Sequence, residues 1–325
     1  VKWRPRPRRC IIVAMPRSLL VLALLLASCG DRALLRDDSG RYRVVAELAD
    51  AEALPAAVAR AGDPTAVVVL GGSVPARANA RLLLASADDA APLPDGVDVL
   101  VVAETGAAIA VDCAVVASGG QRLPERLSVG ARTLTAASAA AGGVRRPAPG
   151  DLAAAMLRRD HGELFAPGGS PGGRRRIAFV RAADGPWHER VANEVAAAAA
   201  ALGGFEFDAR IATGEAWPDL VATCAAAGAG AVLVSADDWS QLPAVMTRAQ
   251  AHQAAVIAID RTDSAVGATC VVGPDQVAIG MALGEALRET MPTGAAIVLL
   301  TGGRWPATAA VRRSGFARAL GLRAP

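Results

Sequence analysis

Residues 256–264 read VIAIDRTDS: an apolar run of strand length leads straight into an adjacent Asp260 and Arg261. A carboxylate beside a guanidinium can do one of two things there. It can form a surface ion pair of little energetic weight. It can also bind a polar ligand, because ligands of open α/β sheets sit beyond the carboxyl ends of the strands. Other chemistry finds no support. His161, His188 and His252 are scattered, without metal-ligand spacing. Cys113, Cys224 and Cys270 lie among Ala and Val with no CxxC, and read as small buried apolar residues. The loop TGGRWPATAA lacks the Lys-Ser/Thr of a P-loop, no GxGxxG follows a strand, no serine sits in a GxSxG elbow, and no carboxylate pair suggests acid/base work. No catalytic residue, cofactor or metal is assigned, and the chain is not expected to be an enzyme.

The elements that must position Asp260 and Arg261 are legible as an alternation. From residue 174 onward, apolar runs of strand length (RRRIAFVRA, FEFDARIAT, AVLVSADD, AVIAID, ATCVVGPD, AAIVLLTGG) alternate with Ala-rich helical stretches. That alternation is the signature of βα units on a parallel sheet. Upstream, YRVVAELA, TAVVVLGGS, ARLLLASADD and DVLVVAET read as further strands, with helices at AEALPAAVARAG and GAAIAVDCAVVASGG. Between the halves, residues 151–175 read as a linker holding a short helix that Asp151 caps, followed by the Gly-rich stretch 168–173.

Composition sets the outer bounds. The chain has 325 residues, enough for two domains, and its 53% apolar content excludes a disordered tail. Six of its Lys and Arg fall in the first seventeen residues. A basic arm for nucleic acid is one reading of that stretch. The better one starts at Met15: a short basic region, the apolar run 19–27 and small residues before Cys29 make a signal peptide, too short to span a bilayer. Leu26-Ala27-Ser28-Cys29 resembles a bacterial lipobox, which implies acylation of Cys29 and tethering to a membrane outside the cytoplasm. Residues 1–29 are therefore expected to be an upstream extension plus a lipoprotein signal peptide, and no nucleic-acid partner is expected.

The order of pieces in residues 176–320 resembles the type 1 periplasmic binding proteins, the sugar receptors of ABC importers, which share their core with LacI-type repressors. IAFVRAADGPWHERV matches the family's first strand and aromatic loop, AVLVSADD its third strand, and AVIAIDRTDS the pattern pVIaiDr. VVGPDQVAIGMALGEAL and AAIVLLTGG leading to VRRSGF follow in order. The resemblance implies two Rossmann-like α/β lobes with parallel sheets that close on a sugar, with Asp and Arg on its hydroxyls and an aromatic face on its ring. Position by position, it gives Trp187 the aromatic role and His188 a polar contact. It places Asp260 and Arg261 at the end of the fourth strand, Arg312 in the second lobe, and Asp184 and Asp237 beyond the first and third strands.

A family member should continue past VRRSGF, and the upstream half looks like the missing remainder, with VVASGGQRLPERLSVGARTLT resembling the closing helix and final strand. A circular permutation is therefore expected. Residues 30–150 form a second-lobe-like domain, 151–175 the linker, 176–293 the first lobe, and 294–325 the first strand and helix of the second lobe. Ser73 and either Asp89 or Glu104 would then face the cleft. The rival arrangements are a truncated or fused gene, or an unrelated small α/β domain before an incomplete lobe. The function implied is a lipid-anchored, extracytoplasmic solute-binding protein for a sugar-like ligand, with an ABC permease or membrane sensor as partner. The alternatives are a degenerate receptor with a structural role and a LacI-like regulator core.

Overall fold

The computed structural model describes residues 35–71, 75, 80–87, 94–141, 143–146, 148–166, 176–202, 204–212, 216–260, 265–302 and 306–323. Two sheets organise them. The six-stranded sheet runs β10 (Glu206–Ile211), β9 (Arg176–Arg181), β11 (Ala231–Ser235), β12 (Ala255–Ile259), β13 (Cys270–Pro274) and β6 (Arg126–Val129), every neighbouring pair parallel. The eight-stranded sheet runs β1 (Leu35–Arg36), β2 (Tyr42–Leu48), β14 (Ala295–Leu300), β3 (Thr65–Val69), β4 (Leu82–Ala87), β5 (Val99–Ala103), β7 (Ala131–Thr135) and β8 (Val144–Arg146). Its middle, from β2 to β5, is parallel.

The central strands are apolar because both faces are covered. All residues of β3, β5, β11 and β14 are buried. The connecting helices are α1 (Leu54–Ala61), α2 (Ala107–Ser118), α3 (Pro149–Asp160), α4 (Gly162–Phe165), α5 (Pro186–Leu202), α6 (Trp217–Ala226), α7 (Leu242–Ala251), α8 (Gln276–Thr290) and α9 (Pro306–Leu320). Helix α2 is apolar nearly all round, which suits a helix enclosed on every side. It lies against α5, β11 and β12 of the six-stranded sheet, whereas α8 lies on β4 and β5 of the other.

The eight-stranded sheet is thus assembled from both ends of the chain, β14 sitting between β2 and β3. An independent upstream α/β domain is ruled out by that pairing. The first and last described stretches also meet directly, since Arg36 and Arg323 exchange backbone hydrogen bonds of 2.9 and 2.8 Å. Residues 30–150 do not stay on one sheet: α2 and β6 complete the six-stranded one, and β7 returns to the other. The stretch read as one final strand is therefore two strands divided at Gly130. The short linker helix also differs from expectation. It starts at Pro149, with Asp151 inside its first turn reaching back to the Ala148 N–H at 2.6 Å, and it breaks at His161 before α4.

Of the four connections that pass between the sheets, one runs from β8 to α3 and three run beside one another: β5 to α2, β6 to β7, and β13 to α8. They lie side by side, with the Glu104 N–H on the Gly130 carbonyl (3.2 Å) and the Asp275 N–H on the Val129 carbonyl (3.0 Å). Gly106 in the first connection has φ +72°, and a Cβ there would stand 2.6 Å from Val272 Cγ1 and 2.9 Å from Val129 Cγ1. Only glycine meets both the left-handed backbone and the close approach. Each parallel strand enters its connection at its C-terminal end, so the C-terminal edges of both sheets face this hinge.

Candidate functional site

On the six-stranded side, β11 ends at Ser235 and Asp237 follows two residues later. His188, in the first turn of α5, lies between them: Nδ1 is 2.8 Å from Ser235 Oγ and Nε2 is 2.9 Å from Asp237 Oδ1. His188 is 1% exposed and Ser235 fully buried, while Asp237 keeps a partly exposed carboxylate. His188 therefore works from beneath, bracing Asp237. Trp187 is buried in the core with Phe179, Val191 and Val195. Asp184 is exposed and pairs with Arg181 at 3.2 Å.

Asp260 follows β12 and is 1% exposed. Its Oδ2 accepts the Ala265 N–H at 2.8 Å, and its own N–H donates to the Val272 carbonyl at 3.0 Å, so it pins the start and end of the segment 260–265. Arg261, Ser73, Asp89 and Cys29 lie outside the described residues.

On the eight-stranded side, Arg312 reaches from α9 to the ends of β3 and β4. Its Nε donates to Gln276 Oε1 (2.6 Å), and its Nη1 to the Leu70 carbonyl and Ser86 Oγ (3.0 Å each). At 2% exposure, Arg312 ties together α9, the N-terminus of α8 and two strand ends. Glu104, just after β5, is held by Arg132 (3.0 Å) and by a two-pronged contact with Arg145, which also reaches Asp151. Burial pulls the Glu104 carboxyl upward, but the hydrogen bonds from Arg145 and Arg132 outweigh it and hold its pKa below the usual range.

The structure brings His188 together with Asp237, and Arg312 with two polar residues that sequence reasoning did not single out, Ser86 and Gln276. Asp184 and Glu104 are occupied in separate ion pairs. A third missed group braces the hinge. Arg190 of α5 donates to the Ala103 carbonyl (3.0 Å) and to Glu194 (2.8 Å), and Thr105 donates to the other Glu194 oxygen. Only the position of Thr105 in DVLVVAET, just past a strand, could have drawn notice to that group. A hollow of about 330 Å³ lined by Pro55, Val58, Asp63, Thr65 and Arg81 lies at the opposite, N-terminal ends of β3 and β4, away from these groups.

Polar side chains at the C-terminal ends of the parallel strands stand where open α/β sheets place their ligands. Residues 177–322 match the periplasmic binding protein domain. That match makes a little under half of the chain similar to periplasmic binding proteins. A solved ABC transporter solute binding protein from Mycobacterium smegmatis, with bound glycerol, is 27% identical to it, over 45% of this chain and 52% of that one, with a TM-score of 0.37. The chain thus spans about half the length of the structure it matches. No curated protein matches it. The matched stretch includes β14, both of whose sheet neighbours come from residues outside it.

Proposed function

We propose that this protein is an extracytoplasmic solute-binding protein, lipid-anchored through Cys29, that closes two lobes on a sugar or similar small polar solute for ABC import or sensing. The mechanism is ligand-driven rotation about the three connections at Gly106, Gly130 and Asp275, with no covalent step. The observation that carries this reading is the braced carboxylate of Asp237 beyond β11, with Asp260 beyond β12 and Arg312 on the opposing sheet, within a fold whose downstream half matches the periplasmic binding protein domain. A carboxylate held by a buried imidazole is preorganised to accept hydrogen bonds from vicinal hydroxyls. Asp237 keeps that role, with Asp184 and Glu104 as further candidates, and with Arg261 and Ser73, which lie outside the described residues, as candidates from the sequence alone.

A second reading, a degenerate receptor with a structural role, draws on the inward packing of Trp187 and the internal hydrogen bonds of Arg312. A thermal-shift screen against pentoses, hexoses and polyols separates the two. A receptor at about 100 times the dissociation constant gains roughly 2.7 kcal/mol, and Asp237→Asn should abolish most of the shift. A cooperative transition that none of these solutes moves would establish the structural reading instead. The anchor is read from the same cells: Cys29→Ser should move the protein from the membrane fraction to the soluble one, and an unchanged distribution would exclude lipidation there.

A further inference from the structure

The edges of the two sheets are finished in different ways. β1 has two residues and β8 three. β6 is covered by α3, where a Cβ on Gly150 would stand 2.2 Å from the Ser128 carbonyl oxygen. β10 departs from this: it is six residues long, EFDARI, without proline, glycine or lysine, and among the described elements no strand lies beyond it. An open edge of that kind is a template for one more strand, and proteins ordinarily blunt it.

The register of β10 shows what it fits. It pairs with β9 in parallel, and the ladder is continued by the Ala212 N–H on the Arg181 carbonyl (2.9 Å), so the even-numbered residues turn their backbone groups toward β9. The N–H and C=O groups of Phe207, Ala209 and Ile211 therefore point to the open side. Their side chains share one face, where Phe207 packs on the apolar core, while Glu206, Asp208 and Arg210 share the other.

We infer that β10 pairs antiparallel with β10 of a second copy of this chain, about a two-fold axis at Ala209. Ala209 then faces the partner's Ala209, Phe207 faces the partner's Ile211, and Asp208 faces the partner's Arg210. Each outward residue exchanges both of its backbone hydrogen bonds, and the opposite charges meet at the non-hydrogen-bonded pairs, where side chains approach most closely. Ile211, 63% exposed in the single chain, gains an apolar neighbour. Arg210 already holds Asp208 at 2.9 Å within the chain, so the dimer joins two such pairs into a row of alternating charge. Moving the axis by one residue sets Asp208 against the partner's Asp208, or Arg210 against the partner's Arg210. Like charges directly opposed are destabilising, so the strand specifies one register.

A strand ladder alone is small beside the roughly 800 Å² per partner of a stable interface. Helix α5 lies on β10 and supplies the remainder: its exposed positions near that end are Ala196, Ala197, Ala200 and Ala201, which let it approach its copy closely. The dimer leaves the candidate site open, because antiparallel pairing sends the C-terminal edges of the two sheets in opposite directions. It also leaves the hinge free, since β10 is at the edge opposite β13 and β6.

The test uses the full chain. Ala209→Cys, treated with oxidised glutathione, should give a dimer on a non-reducing gel, linked through residue 209 in the peptide map. Opposed residues of a hydrogen-bonded pair have Cα atoms about 5.5 Å apart, within disulfide reach. Ile211→Cys is the control for random collision: the position is well exposed, but in this register it stands about 14 Å from its copy and should stay unlinked. Sedimentation equilibrium of the parent should give twice the chain mass. Ala209→Pro removes only an outward N–H of an edge strand and should halve that mass with unchanged circular dichroism. Should the proline variant fail to fold, the charges decide: Asp208→Arg should halve the mass, and adding Arg210→Asp should restore it. Equal linkage at 209 and 211 overturns the register. A parent of single-chain mass overturns the dimer, including the case where β10 takes up a strand of some other protein. None of these readings involves a solute, so they stand apart from the solute-binding proposal.

Discussion

At the residue scale, the polar types beyond strand ends were readable in the sequence, but whether each faced solvent or the interior was not. AVLVSADD displays Ser235 and Asp237, yet their partner His188 comes from a helix 47 positions upstream. Trp187 and Arg312 carry the side chains expected of a ligand site and are consumed by packing and internal hydrogen bonds, which depend on rotamers that no local pattern encodes. The brace on Asp237 makes a stability prediction. His188→Leu removes both hydrogen bonds and takes from the buried Ser235 hydroxyl its imidazole partner, at an expected loss of about 2–3 kcal/mol. Asp237→Asn keeps an acceptor in place and should lose under about 1 kcal/mol. Urea unfolding of the two variants measures both. A His188→Leu loss no larger than that of Asp237→Asn would mean the imidazole holds nothing.

At the element scale, the parallel strands and most helices could be read because each is a run of one period. The misreadings fell where the runs are short or mixed: β6 (RLSV) and β7 (ARTLT) merge into one pattern across Gly130, and α3 and α4 merge across His161. What the sequence displayed without its meaning being plain was the glycine spacing of α8 and α9. A Cβ at Gly280 would stand 1.9 Å from the Arg312 carbonyl oxygen, and one at Gly315 2.1 Å from that of Val277. The two helix backbones touch there, and the contact is what lets Arg312 reach Gln276. Alanine is favoured over glycine by about 1 kcal/mol in a helix interior, yet here it must force the pair apart. Gly280→Ala and Gly315→Ala should each lose about 3 kcal/mol or more. Gly162→Ala, at the start of α4 with nothing within 4 Å of its would-be Cβ, should stay within about 0.5 kcal/mol of the parent. Equal losses at all three positions in thermal unfolding would mean that helix approach is not what these glycines serve.

At the scale of the whole molecule, the decisive relation is between chain order and sheet order. Among the described elements β14 is followed by α9, yet it pairs on both sides with β2 and β3 from the upstream half. The upstream strand patterns resembled further strands of the same fold, and the pairing of β14 with β2 and β3 puts them on one sheet. The dual service of residues 107–129 was not legible, since an apolar helix and a four-residue strand fit either sheet equally well. If the order of elements is a circular permutation of one two-lobed fold, the chain can be returned to the other order without disturbing a strand pair. Arg36 and Arg323 already exchange two backbone hydrogen bonds, so a short linker can join those ends, and new termini can be opened between residues 166 and 176. The chain 176–323, linker, 35–166 keeps both sheets and every connection between them. Each doubling of a loop's length changes its closure cost by only about 0.6 kcal/mol, so the rearranged protein should unfold cooperatively within about 2 kcal/mol of the parent. Circular dichroism and urea unfolding decide it. A rearranged chain that keeps helical signal but loses its cooperative transition would mean that the junction at 167–175 holds the two lobes in register, and that the present order is a requirement of this fold rather than one of two equivalent ways to thread it.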